Sequence, residues 1–291
     1  MSGQQGLGQV VEVTGLCVTV KSFHALLKWR PWWNSLTASA AGLGLIIWAL
    51  RSYPKGHPVR LGARLSMLFI VTESLVGAGL VLFEWVAQDA SLGRVLAIPV
   101  HLFNTFLLLA AMTLTAWWAS GGERLTLRDQ GITLWGLGIG LVGVLILGMS
   151  GAVTALGDTL FPAESLSEGL RQDFSANAHY LIRLRVWHPV LAVMVGFYLL
   201  FLSGLLVMLH PAPQNRRPAL ALAVLFIVQL LAGLVNVLLL APVWMQLVHL
   251  FLADLVWISL VLLSAETLSQ KPLQATDPAM SRLIDQAQKA D

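Results

Sequence analysis

The chain of 291 residues contains one cysteine, Cys17, which excludes an internal disulfide and any multi-cysteine metal or iron–sulfur site. Charge is scarce as well, with Asp, Glu, Lys and Arg together at 11%. The net charge of +3 is small and its basic residues lie in loops, so no nucleic-acid surface is expected. Apolar residues take the place of charge: they reach 57%, with a mean hydropathy of +0.75, more than a soluble domain of this length needs for its core. The apolar stretches recur at about 20 residues, the length that crosses a hydrocarbon layer of about 30 Å as a helix, and not as short alternating strands. The expected fold class is an all-α polytopic membrane protein.

Seven spans are expected, at 33–50, 64–86, 95–119, 131–153, 184–209, 218–241 and 244–265. Arg51, Lys55, Arg60 and Arg64 lie in the first connection, Arg124 and Arg128 in the third, and Arg216 and Arg217 in a later one, so alternate loops are basic. The positive-inside rule puts those loops and the C-terminus in the cytoplasm, which makes this a multi-pass protein of the cell's inner (plasma) membrane. Arg183 and Arg185 are the exception on the outer side, where they are expected to snorkel or to pair with ligand carboxylates. Residues 1–32 form an atypical leader, too short and too interrupted by Glu12 and Gly15 to span, and 266–291 form a polar cytoplasmic tail.

An internal repeat divides the rest. Leu68-Phe69-Ile70-Val71 precedes Glu73-Ser74-Leu75-Val76-Gly77, as Leu225-Phe226-Ile227-Val228 precedes Gln229-Leu230-Leu231-Ala232-Gly233. Farther on, Val100-His101-Leu102-Phe103 is echoed by Val248-His249-Leu250-Phe251. Two matches in the same order imply two halves of shared topology, 33–119 and 131–265. Superposing the halves places the counterpart of His188 close to Asn34.

His188 and His249 lie inside spans that run in the same direction, at similar depth from the outer face. An imidazole in hydrocarbon is costly unless something holds it, and haem iron is the ligand that best fits the pair. Buried histidines that only tie helices together are the plainer reading. His101 occupies the equivalent place in the first half, where its partner position, Asn34, carries a poor axial ligand for iron. His57, His179 and His210 are expected to be solvated or to cap helices, and His24 falls in the leader. Glu73, a carboxylate within a span, is expected to be hydrogen-bonded between helices as Gln229 would be in the other half, with Asn104, Asn236, Gln246 and Asp254 as further interhelical links.

On these residues the chain resembles the haem A synthase family of the cytochrome oxidase assembly pathway. The resemblance is carried by Arg51-Ser52-Tyr53-Pro54-Lys55-Gly56-His57-Pro58-Val59-Arg60, His101-Leu102-Phe103-Asn104-Thr105-Phe106, Gly151-Ala152-Val153-Thr154-Ala155-Leu156-Gly157-Asp158, Val186-Trp187-His188-Pro189 and the stretch from Asn236 to His249. It covers about 36–266. It implies two similar four-helix halves, of which seven helices are found here and the first is missing. It further implies a haem b cofactor, with its iron between His188 and His249, and a substrate haem O held in the N-terminal half with His101. The implied reaction oxidises a haem methyl to the formyl of haem A by successive hydroxylations. An unidentified electron donor is implied, together with haem O synthase and cytochrome oxidase assembly factors as partners beside the lipid bilayer.

The sequence departs from the family at one place. The family's glutamate and His-Arg motif is replaced by Pro31-Trp32-Trp33-Asn34-Ser35, so no catalytic residue is assigned and weak or no activity is expected. Either the chain is a divergent, non-catalytic haem-binding member, or residues 1–35 come from a shifted or misplaced start. Similarity resumes abruptly at Leu36, which favours the second account. A b-type cytochrome that only carries electrons is the alternative class of function, and a transporter would require broken helices with polar clusters at the midplane.

Overall fold

A computed structural model describes residues 36–86, 88–209 and 213–270. Among these the regular structure is entirely helical: α1 (Leu36–Ser52), α2 (Pro58–Leu82), α3 (Leu92–Ala119), α4 (Gly131–Leu160), α5 (Leu166–Asp173), α6 (Tyr180–Leu184), α7 (Trp187–Leu209), α8 (Pro213–Leu238) and α9 (Val243–Leu268). Six stretches are long and apolar enough to cross a membrane, namely α2, α3, α4, α6 with α7, α8 and α9, and α1 is a shorter apolar helix. The leader, Asn34, His24, His210 and most of the tail lie outside the described residues.

Helix ends depart from the expected spans for local reasons. α2 starts at Pro58 and not near 64, because proline suits the first helical position and His57 Nδ1 accepts the Val59 N–H at 3.3 Å. It stops at Leu82, just before Glu84 adopts a left-handed φ of 57°. α4 runs on past 153 to Leu160, since Thr159 Oγ1 donates back to the Ala155 carbonyl at 2.7 Å and the Asp158 carboxylate is paired. The span expected at 184–209 is α7, which begins at Trp187 after a break at Arg185 and Val186 that separates it from the short α6.

Two helix pairs repeat: α2 lies along α3, and α8 lies along α9. Between them α3, α4, α7 and α9 enclose the main core. There Phe106 of α3 stacks on Trp257 of α9 with centroids 5.3 Å apart, and Trp257 Nε1–H donates to the Phe106 carbonyl at 2.7 Å. Gly148 of α4 makes room for this pair, because a Cβ there would fall 2.5 Å from the Phe106 ring. The outward faces carry Leu75, Ile139, Phe197 and Phe251, each more than half exposed, as helices bordered by lipid do.

The connection between α4 and α7 is fastened by Arg185. Its guanidinium is buried and meets Asp158 of α4 at 2.9 Å and Asp173 of α5 at 2.9 Å. Snorkelling and ligand pairing, the two roles expected for Arg185, are therefore replaced by internal ion pairs, while Arg183 is exposed. The reason is distance in sequence: the two acids lie in the preceding helices and come together only when the loop folds. His179 caps α6 by accepting the Leu181 N–H at 3.3 Å and packs on Phe161.

Arg185→Met should destabilise the protein by about 3 kcal/mol, because it leaves two partly buried carboxylates without their shared cation. Thermal unfolding of the full chain in detergent measures this. An unchanged midpoint would show that the connection does not depend on the ion pairs.

Candidate functional site

His188 stands in the first turn of α7, immediately after the break at Arg185 and Val186, and His249 stands in the second turn of α9, which opens after Pro242. The two rings come together with centroids 6.3 Å apart and planes at 83°. Imidazoles bound to a single metal through nitrogens at about 2 Å have centroids roughly 6 Å apart, so the spacing suits two ligands of one ion.

Hydrogen bonding fixes what His188 can offer. Ser150 Oγ–H donates to the Leu147 carbonyl at 2.7 Å, and its oxygen lies 3.0 Å from His188 Nδ1. With the serine proton committed, Nδ1–H of His188 is the donor and Nε2 carries the free lone pair. That is the tautomer a metal ligand needs, held by a supporting side chain. Glycine floors both rings. A Cβ at Gly151 would lie 2.9 Å from His188 Cε1, and one at Gly233 would lie 3.0 Å from His249 Cε1.

His249 is less completely served. Its Nε2 lies 3.1 Å from Gln229 Nε2, while its Nδ1 and the Gln229 Oε1 are both buried without a hydrogen-bond partner. Turning the amide lets Oε1 accept Nε2–H and leaves a lone pair on Nδ1 with no protein partner, the condition of a metal ligand. Among the described residues no group of three or more His, Cys, Asp or Glu is placed to hold a metal ion. A bare ion such as zinc takes three or four protein ligands. A pair alone fits a metal that brings most of its own ligands, as iron in a porphyrin does.

His101 belongs to a second cradle. Its Nδ1 lies 3.3 Å from Glu73 Oε1 of α2. Asn104 Nδ2–H and Thr105 Oγ1–H donate to the same carboxylate, and Asn104 also donates to the Phe69 carbonyl and accepts from Thr72 Oγ1. Glu73 and Asn104 thus make the interhelical links expected of them. Asn236 and Asp254 do not, since their Oδ1 atoms are buried without a hydrogen-bond partner, and Gln246 closes the α8–α9 turn on the Ala241 carbonyl at 2.6 Å. Sequence reasoning missed Ser150, because a serine within an apolar helix usually bonds its own backbone.

A profile described as cytochrome oxidase assembly protein, COX15-CtaA, matches residues 7–261, which reaches back into the leader. The chain belongs to this haem A synthase family. The protoheme IX farnesyltransferase of one Thermus thermophilus strain is 55% identical over 228 residues, 78% of this chain and 38% of that protein. Its counterpart in a second strain of the same species is 54% identical over the same shares. The chain therefore spans well under half the length of these curated relatives. No solved structure matches. Membership of the family assigns this membrane protein to cytochrome oxidase assembly.

Gly151→Ala tests the glycine floor. The added methyl forces the His188 ring to move, so its ring resonances should shift in nuclear magnetic resonance spectra of the protein in detergent while the fold persists by circular dichroism. An unaltered spectrum would show that the ring position is not set by this contact.

Proposed function

We propose that the protein oxidises the methyl group of haem O to the formyl group of haem A, in the manner of the family it belongs to. In this reading His188 and His249 hold a haem b that relays electrons, and His101 takes the iron of the substrate haem in the other half of the bundle. The observation that carries it is the pairing of two imidazoles with no third protein ligand among the described residues, backed by Ser150, Gly151 and Gly233. The bound haem supplies one-electron transfer. The chain's own residues fix the imidazoles, exclude water with apolar helix faces and seat the substrate beside Glu73, Asn104 and Thr105.

The farnesyltransferase name of the Thermus relatives fits this assignment by chemistry. This chain aligns with only 38% of the first of those proteins, and we assign prenyl transfer to the larger remainder. A farnesylated haem is then the product of one part and the substrate of the other. Haem O synthase and oxidase assembly factors are the partners this order implies, with an external electron donor. The protein lies in the inner membrane with its C-terminus in the cytoplasm.

A second reading rests on a specific observation: Pro31-Trp32-Trp33-Asn34-Ser35 supplies neither the acid nor the second histidine of the family motif. A b-type cytochrome without oxidase chemistry would need only the pair in the C-terminal half. Extraction of haem from membranes containing the protein and haem O, followed by mass analysis, separates the two. Haem A or its hydroxylated precursor supports oxidation, and unaltered haem O supports the cytochrome.

His188→Ala and His249→Ala should each abolish the low-spin haem b signal in a reduced-minus-oxidised spectrum. His101→Ala should preserve that signal and reduce product by at least about tenfold, the loss expected when a substrate's reacting centre is no longer positioned. An intact signal in both of the first two variants rejects the haem assignment.

A further inference from the structure

The two half-sites are built on matching helix pairs and differ in the group that faces the histidine and in the ring nitrogen it faces. In the C-terminal half a neutral amide, Gln229, meets His249 Nε2 at 3.1 Å. At the matching place in the N-terminal half stands a carboxylate, Glu73, 3.3 Å from His101 Nδ1. One turn farther on, the glycines also match: a Cβ at Gly77 would face His101 Cε1 at 4.0 Å, as one at Gly233 would face His249 Cε1 at 3.0 Å.

Glu73 is about three-quarters buried within a membrane helix, where an unmet carboxylate is costly. The structure surrounds it with donors. Asn104 Nδ2–H reaches one oxygen and Thr105 Oγ1–H the other, and His101 Nδ1 stands 3.3 Å from that second oxygen. Asn104 is in turn oriented by the Phe69 carbonyl at 2.9 Å and the Thr72 hydroxyl at 2.6 Å. Two donors and an imidazole from one face of α3 converge on one acid. A link that only joined helices would be served by an amide, as the other half shows.

Resting on the reading that His101 takes iron, we propose that Glu73 is a positioning residue: its carboxylate draws Nδ1–H of His101 and makes that imidazole a stronger electron donor to iron than His249. A carboxylate behind a ligating histidine fixes the tautomer, presents Nε2 to the metal and raises its basicity. The ferric state at His101 is thereby favoured over the ferrous state, relative to iron ligated by the amide-backed His249. Donation from the axial ligand is also the direction that favours oxygen-bond cleavage at thiolate-ligated iron. One fold repeated twice would thus hold two haems of different character.

Redox titration of the full chain in detergent, loaded with iron protoporphyrin IX, tests this, with the ferrous iron–histidine stretching frequency as a second readout. His101→Ala identifies the component that belongs to this half by removing it. Glu73→Gln, of equal size, should raise the potential of that component by about 59 mV, a tenfold change in ferric-over-ferrous preference for a one-electron couple, and lower its stretching frequency. The reciprocal Gln229→Glu should lower the potential of the component that His249→Ala removes, and it decides the matter if Glu73→Gln fails to fold. Loss of a component in His101→Ala with no movement in Glu73→Gln or Gln229→Glu overturns the role of Glu73 and leaves the function standing. No loss in His101→Ala overturns the iron at His101, and this inference with it.

Discussion

A neutral imidazole carries one N–H and one lone pair, and inside hydrocarbon each needs a partner that water cannot supply. Much of the local architecture around His188 follows from that requirement. The N–H goes to Ser150, whose own proton is spent on the Leu147 carbonyl, so the ring cannot turn without losing its bond. The lone pair is left for something the protein does not provide. Gly151 brings α4 close enough for the serine to reach, and the break between α6 and α7 puts His188 in a first turn at the depth of His249. Arg185, three positions before, ties that break to α4 and α5 through Asp158 and Asp173. The buried charge and the buried ring thus stabilise one another's location: the ion pairs set where α7 begins, and the start of α7 sets where the imidazole points.

The internal repeat gives this arrangement a second use. α2 with α3 and α8 with α9 keep the same order of acid or amide, glycine and histidine, and the pairs are joined where Phe106 stacks on Trp257. That junction is rigid for a physical reason. The indole N–H donates to the Phe106 carbonyl, so stacking and hydrogen bonding fix the same two helices, and Gly148 removes the side chain that would separate them. Two cradles held by one core can diverge in chemistry while their backbones stay in register.

Much of the fold is legible in composition and period. Apolar stretches of membrane length, alternating basic loops and two ordered repeats mark the helices, and the same repeats single out His101, His249, Glu73 and Gln229 as a set. The capping role expected of His57 and His179 is met at the starts of α2 and α6. What escapes depends on contacts between distant segments. The short helix α6, set before the break at Arg185 and Val186, has no hydropathy signal of its own. The partners of Arg185 cannot be named from sequence because Asp158 and Asp173 reach it only through the folded outer connection. Ser150 gives no signal of its own. Gly138 has nothing within 4 Å of where its Cβ would lie among the described residues, while a Cβ at Gly62 would fall against Thr115. Glycine in an apolar helix marks opportunity for contact, and only the packing decides which ones are used.

Two protein ligands are too few to select an ion by coordination number, which shifts the burden of recognition from ligands to walls. Zinc or copper sites gain their affinity from three or four side chains in a set geometry, and a pair forfeits most of that. A porphyrin reverses the balance: the macrocycle supplies four nitrogens in the plane, and its large apolar faces gain stability from every helix that shields them. On the proposed reading the histidines therefore specify orientation and axial character more than affinity, while the apolar helix faces retain the cofactor. This division explains why the sequence can be so poor in polar side chains and still build a chemical site. The few polar groups that remain, Ser150, Gln229, Glu73 and Asn104, stand behind or beside a histidine, where in a medium of low dielectric each one has an outsized effect on the ring it touches.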